Sequence, residues 1–227
     1  MSSRSAGVSP AESEWLNSPP RGWHSRGYLP HFDGGDSTQS VSIRLWDSLP
    51  REVLERIREG LEEEMLRDPV KAAIRKSHLI EKCLDRGFGS CLLRLAEVAA
   101  VVEDALLFFD GERYQMHAWC VMPNHVHALF TPDSTVSMSV VLHSWKSFTT
   151  HRINAKLGRR GTLWQEDYFD RFIRNQEHFE NALDYIHANP VRAGLCARPQ
   201  DWQFTSARYD RPEGAGETPA LRREETT

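Results

Sequence analysis

The stretch YQMHAWCVMPNHVHALFT, residues 114–131, decides the fold. Tyr114 to Met122 is nearly all apolar, as expected of a strand covered on both faces. Pro123-Asn124 supplies a turn, and His125 to Thr131 reads as a second strand, so the two make a hairpin. In that second strand Val126, Ala128 and Phe130 alternate with His125, His127 and Leu129. Successive side chains of a strand leave opposite faces. The apolar set can therefore be buried while both imidazoles emerge together on the other side.

The flanking segments supply the remaining elements. Val41, Ile43 and Leu45 alternate with Ser40, Ser42 and Arg44, the period-two pattern of a half-buried strand. Ser48 precedes a helical stripe of Val53, Leu54, Ile57, Leu61 and Met65. Residues 69–90 read as helix and then a loop at Gly87 and Gly89. An apolar helix is expected over 92–109, stopped by Asp110-Gly111. After the hairpin, Met138, Val141, Trp145 and Phe148 set a core-facing helix over 138–157, broken by the glycines at 158 and 161. Residues 167–174 (DYFDRFIR) read as a last strand, and 176–188 as a helix ended by Pro190. The order is strand, helices, hairpin, helix, strand and helix. It predicts an α+β fold, a ferredoxin-like split βαβ sandwich whose antiparallel sheet has the His125 strand at its centre, with extra helices and a C-terminal helix carrying Tyr185.

Thirteen of residues 1–27 are Ser, Gly or Pro. Such a composition cannot bury enough apolar surface to offset the entropy of ordering. Disordered tails are expected over 1–27 and 211–227, with one globular domain over 28–210. The chain has 227 residues, 40% of them hydrophobic, which is enough for a core. No apolar run approaches the roughly 18 residues of a spanning helix, so no membrane partner is expected. The opening MSSRSAGVSPAESEW has no apolar signal region. Cys83, Cys91, Cys120 and Cys196 match no zinc or redox spacing and read as reduced thiols of a bacterial-type cytosol. The formal net charge is −4, so attraction to a polyanion must come from a local patch.

Two pieces carry chemistry. His125 and His127, on one strand face, are placed to share a divalent cation through neutral nitrogens. The hydrolase pattern H-x-H-x-D-H fails because Leu129 stands at the Asp position. The second piece is ALDYIHANP, residues 182–190. Tyr185 lies at the edge of the stripe formed by Phe179, Ala182, Leu183 and Ile186, and Asn189 follows one helical turn later. Alone, each piece also reads blandly: two hydrogen-bonded histidines, and a packed tyrosine followed by a helix-terminal asparagine. Together they have a chemical meaning, provided that the fold brings them to one place. A cation held by His125, His127 and Asn189 would polarise a phosphodiester. Tyr185 would attack phosphorus and keep one DNA end covalently bound.

At this point the residues resemble the REP-associated tyrosine transposases, of the insertion-sequence-200-like branch of the HUH single-strand nucleases. The resemblance is carried by RGYLPHFDGG (26–35), LWDSLP (45–50) and FFDGERYQMHAWCVMPNHVHALF (108–130). It continues through LHSWKSFTTHRIN (142–154), LWQEDYFDRFIRNQEHF (163–179), YIHANPVRAGL (185–195) and DWQFTSARY (201–209). It implies a ferredoxin-like nuclease acting on single-stranded DNA near repeat hairpins, as a monomer or homodimer in a bacterial, nucleoid-associated setting. By the same resemblance His125 and His127 match the metal-binding pair, Tyr185 the nucleophile and Asn189 the third metal contact. The cofactor is Mg(II) or Mn(II), and the intermediate a 5′-phosphotyrosine with a free 3′-hydroxyl. Two imidazoles favour Mn(II) on softness grounds. Tyr168 is a rival nucleophile, disfavoured because it sits in the expected last strand with no amide four residues later.

Residues 143–198 hold nine Lys or Arg against six acids. Lys146, Arg152, Arg159, Arg160, Arg171 and Arg174 are the candidate DNA contacts. Trp145, Phe148, Trp164 and Trp202 read as core rather than as stacking platforms. Two rival functions stand beside the transposase reading. One is a hairpin-binding protein without catalysis. The other is a hydrolase using activated water, against which the sequence offers no Asp or Glu beside the histidines.

Overall fold

A computed structural model describes residues 36–209 together with two short antiparallel strands, β1 (Trp23–Ser25) and β2 (Pro30–Phe32). Trp23–Ser25 falls inside the tail expected over 1–27. The rest of that tail, and the tail expected over 211–227, lie outside the described residues.

The hairpin forms as its pattern predicts, from β4 (Tyr114–Val121) and β5 (His125–Pro132). Met122 N–H closes the turn on the His125 carbonyl at 2.9 Å. With β3 (Gln39–Arg44) and β6 (Phe169–Phe172) these strands make one antiparallel sheet in the order β4-β5-β3-β6. That is the strand order of a ferredoxin-like sandwich, with the histidine strand inside it. The register shifts between Met116 and Ala118, leaving His117 as the extra residue of a bulge. The His117 imidazole bonds the Thr131 hydroxyl at 2.7 Å.

The helices are α1 (Arg51–Glu59), α2 (Glu62–Arg67), α3 (Pro69–Leu84), α4 (Ala96–Leu107), α5 (Met138–Lys156) and α6 (Gln176–Arg192). The period-two pattern sorts them onto the two faces of the sheet. Val41, Ile43, Val126, Ala128 and Phe130 pack with Val98, Val102 and Leu106 of α4 and Trp145 and Ile153 of α5 in the larger core. On the other face Ala118, Cys120, Met122 and Leu129 pack under Ala182 and Ile186 of α6. The phase of β5 thus puts its histidines on the α6 side.

Four expectations need correction. The stripe from Val53 to Met65 is not one helix. The chain breaks at Gly60-Leu61, and Met65 is left 42% exposed, because Leu61 turns into the core and takes the backbone out of register. The helix over 92–109 begins late. Leu92–Arg94 is a 3-10 turn held to the hairpin by Leu93 N–H on the Pro123 carbonyl, and Leu95 is extended before α4. Phe148 is half exposed, since the buried stripe of α5 runs through Trp145, Thr149 and Ile153 and passes beside it. Finally, α6 runs through Pro190 to Arg192. A proline removes one N–H donor and crowds the preceding turn. Here the buried packing of Ile186, Asn189 and Pro190 outweighs that cost.

Candidate active site

The site is built where the central strands meet α6. In the antiparallel register Ser42 lies opposite His127 and Arg44 opposite His125, so the four side chains share one face. Both imidazoles are essentially buried, at 1% and 3% exposure. Their Nε2 atoms are 2.9 Å apart, with the rings perpendicular. Asn124 fixes one of them. Its Nδ2 donates to the Leu84 and Phe88 carbonyls at 3.2 and 3.1 Å, so its Oδ1 faces His125 Nδ1 at 2.8 Å. His125 Nδ1 is then the donor, and its Nε2 presents a lone pair. His127 Nδ1 meets the Ser42 hydroxyl at 2.7 Å, a partner able to donate or accept. Burial lowers the pKa of both histidines, that of His127 to about 3, with Arg192 adding to the effect on His127 and His127 on His125. Both rings are neutral at physiological pH, the form that ligates metals.

Tyr185 is brought in by α6. Asn175 caps that helix by accepting from His178 N–H at 2.8 Å. Phe179 packs edge-on against His117, and the Ala182 and Ile186 contacts seat the helix on the sheet. The Tyr185 ring then stands perpendicular to the His127 ring with centroids 5.6 Å apart. The Arg192 guanidinium lies 4.8 Å from the centre of the Tyr185 ring. Burial first, and the negative charge of Glu81 on α3 next, raise the pKa of the phenol. One turn beyond, Asn189 is completely buried. Its Nδ2 donates to the Tyr185 carbonyl at 2.9 Å, which leaves Oδ1 buried with no hydrogen-bond partner. Asn189 is not the helix end that its place before Pro190 implies.

The side chains present fit a divalent cation. The two Nε2 atoms, 2.9 Å apart, have the spacing of adjacent ligands at right angles around an ion with bonds of about 2.1 Å, and His127 would ligate in the tautomer whose Nδ1–H donates to Ser42. The unpartnered Asn189 oxygen is a buried acceptor that needs a donor or a cation. Among the described residues no cluster of three or more His, Cys, Asp or Glu side chains could hold a metal; the candidate donors are the two imidazoles, with the Asn189 amide one turn past Tyr185 on the helix packed over that face.

The family model of the IS200-like transposases matches residues 106–189. The chain is similar to that family. The matched segment holds the histidine pair, Tyr185 and Asn189, and begins after α3. The chain is 29% identical over 102 residues to an Escherichia coli K12 protein called a REP-associated tyrosine transposase, across 44% of this chain and 59% of that one. The chain thus spans less than two thirds of this relative's length. A Haemophilus influenzae protein with the same family name is 27% identical over 124 residues, across 48% of this chain and 70% of its own. The solved structure of a REP-associated tyrosine transposase bound to a REP hairpin shares the fold. It covers 88% of this chain and 96% of its own, with a TM-score of 0.51 at 18% identity.

The remaining sequence candidates scatter around this centre. Tyr168 is 7% exposed and packs in the larger core, on the α4 and α5 side of the sheet. Lys146 spans α5 to the loop before β6, donating to the Gln165 and Glu166 carbonyls at 2.9 Å each. Arg159 donates to the Thr162 carbonyl, while Arg152 and Arg160 are exposed. The loop with Arg159 and Arg160 is tied to the His125 end of β3 through Gln165 N–H on the Arg44 carbonyl. Arg171, exposed on β6, acts electrostatically on Glu81, and Arg174 lies beside the Phe172 ring. Trp145 and Trp164 are core, as expected, and Trp202 bonds the Val121 carbonyl. The sequence reading missed Glu81, Asn124, Ser42, Arg44 and Arg192. The strand register singles out Ser42 and Arg44, since residues opposite His127 and His125 must share their face. Glu81 has no such signal.

The buried neutral histidines give a pH dependence of stability. Their folded pKa values lie below the ordinary 6.5, so as pH falls below 6.5 the unfolded chain takes up protons first. Stability is full above that pH and declines towards pH 3. For His127 alone the loss at pH 5 is about 2 kcal/mol. With a chelator present, His127→Gln should lose less melting temperature between pH 7 and pH 5 than the parent. Equal losses would show that this histidine is not buried in its neutral form.

Proposed function

We propose that the chain cuts and rejoins single-stranded DNA beside hairpins, holding one end as a 5′-phosphotyrosine on Tyr185. The observation that carries this reading is the Tyr185 ring set perpendicular to His127, whose Nε2 meets that of His125. A divalent cation, Mg(II) or Mn(II), held by His125, His127 and Asn189 would polarise the phosphodiester and offset its charge. Tyr185 supplies the nucleophilic oxygen, α6 fixes its ring, and the Asn124 and Ser42 hydrogen bonds orient the imidazoles. Arg192 and the exposed Arg171 add positive charge at the mouth of the site. The names of the similar proteins support a hairpin substrate.

The test is incubation with single-stranded hairpin DNA and Mn(II), followed by a denaturing gel. A protein–DNA adduct supports the reading. Cut DNA without an adduct would favour the water-activating hydrolase, and binding without cutting a hairpin-binding protein.

The exposed Arg160 tests the DNA path. Arg160→Ala should weaken hairpin binding and lower the log–log salt slope by roughly 0.7, the value of one single-strand phosphate contact. An unchanged slope would leave Arg160 as solvated surface.

A further inference from the structure

We infer that Trp46 and Arg44 hold the unpaired DNA strand where it meets the site, Trp46 by stacking on a base and Arg44 by gripping a phosphate. This rests on the transposase-type reading and adds to it two residues from outside the matched segment, which starts at residue 106.

The piece of chain that carries them is fixed through its backbone. Leu45 N–H donates to the Asn124 carbonyl at 2.9 Å, at the turn that leads into the histidine strand. Trp46 N–H donates to the Leu163 carbonyl at 2.9 Å, and the Trp46 carbonyl accepts from Gln165 Nε2 at 2.6 Å. Ser48 N–H closes a tight turn on the Leu45 carbonyl at 3.1 Å. Within that turn the Asp47 backbone packs on Gly89, which has φ +83° and where a Cβ would run into the Asp47 carbonyl. The Asp47 carboxylate accepts Ser90 N–H at 2.7 Å. The hairpin, the 163–165 segment and the loop at Gly89 thus hold residues 44–48 from three sides.

On this fixed backbone the two side chains are left open to a ligand in different ways. Leu45 is 1% exposed in the larger core, whereas its neighbour Trp46 is 60% exposed. The other tryptophans whose burial is described are buried or half-buried. An indole held out in water is a face on which any nucleobase stacks, and a backbone fixed in advance keeps the cost of ordering low. Arg44 lies opposite His125 in the strand register, on the face of the imidazole pair. Its Nη1 is buried without a hydrogen-bond partner. Burial disfavours its charge, and Asp167 offsets part of that cost, but a guanidinium stays protonated. A buried, unpartnered N–H of a cation calls for an anionic oxygen, and phosphate fits the arginine fork. Two residues of chain span at most about 7 Å, so Arg44 and Trp46 are spaced for neighbouring groups of one strand. The loop with Arg159 and Arg160 joins β3 at the Arg44 carbonyl and extends the basic path from there.

Binding of the full, metal-free chain to three DNAs, read by fluorescence anisotropy, tests this. The first is a hairpin flanked by unpaired nucleotides, the second the same hairpin with abasic flanks, and the third the bare hairpin. The parent should bind the first most tightly. Trp46→Ala should weaken binding to the first about tenfold and leave the other two at parental affinity. Its log–log salt slope should not change, because stacking releases no counterions. Trp46→Phe should restore most of the loss. Arg44→Gln should weaken binding to both flanked hairpins and lower the slope by roughly 0.7. Arg44→Lys, which keeps the charge and loses the fork, should keep the slope and lose affinity. Parental affinity of Trp46→Ala for the base-bearing flanks, or an equal loss on abasic flanks, would overturn the stacking. An unchanged slope in Arg44→Gln would overturn the phosphate grip. If the parent still forms a covalent adduct with Mn(II), either result leaves the transposase reading standing. A parent that binds none of the three DNAs would overturn both.

Discussion

Tyr185→Phe should abolish covalent capture of hairpin DNA, lowering adduct formation on the order of 1,000-fold or more, because no other side chain replaces a lost nucleophile. The change removes one oxygen. The ring keeps its perpendicular contact with His127 and its place beside Arg192. What is lost in the fold is one hydroxyl of a half-buried side chain. The expected stability change is therefore within about 1 kcal/mol, and hairpin binding should stay within a few-fold. Tyr168→Phe is the control. Tyr168 lies in the core on the opposite side of the sheet, with Lys146 Nζ 5.4 Å from its ring. Its variant should capture DNA at the parental rate. Full capture by Tyr185→Phe together with loss in Tyr168→Phe would show that the wrong tyrosine has been assigned.

The contrast between these two tyrosines shows where the sequence speaks and where it is silent. The alternation in β5 is a local property, and it correctly divides Val126, Ala128 and Phe130 from His125 and His127. The stripe on α6 is equally local, and it places Tyr185 towards the sheet. Strand order follows from the sequence of elements because few connections are allowed. Glu81 follows from none of these. Its helix has mixed faces, the phenol whose pKa it raises is about a hundred residues away, and nothing in the spacing of α3 points to that phenol. Asn124 reads as a turn residue, and it is one, but its side chain also joins two carbonyls to an imidazole. The helix through Pro190 fails to show for a related reason. A local rule ends helices before proline, and tertiary burial of Ile186 and Asn189 overrides it.

The same burial makes Asn189 and His127 the residues to vary for metal dependence. His127→Ala should abolish Mn(II)-dependent cleavage, since one of two imidazole donors is gone. It is a cleaner probe than His125→Ala, which would leave the Asn124 oxygen unpaired inside the protein at a cost of about 1–3 kcal/mol. Removing His127 frees the Ser42 hydroxyl, which lies in a partly buried place and can turn elsewhere, and the Nε2 lone pair of His125. Asn189→Ala removes a neutral oxygen donor and should raise the Mn(II) concentration for half-maximal cleavage, with partial rescue at excess metal. Asn189→Asp should do the reverse, binding metal more tightly but cutting more slowly, because its charge reduces the pull of the cation on the phosphate. A purely structural role predicts otherwise. Helix α6 ends at Arg192 with Ala193 as its C-cap, not at Asn189, so a capping loss does not arise. The side-chain bond that Asn189 makes is to the Tyr185 carbonyl, and losing it would lower the melting temperature without moving the metal titration. Mn(II) titrations of the three Asn189 proteins, with melting curves recorded at the same pH, separate the two. Identical half-saturation in all three would end the ligand assignment even if Asn189→Ala melts earlier.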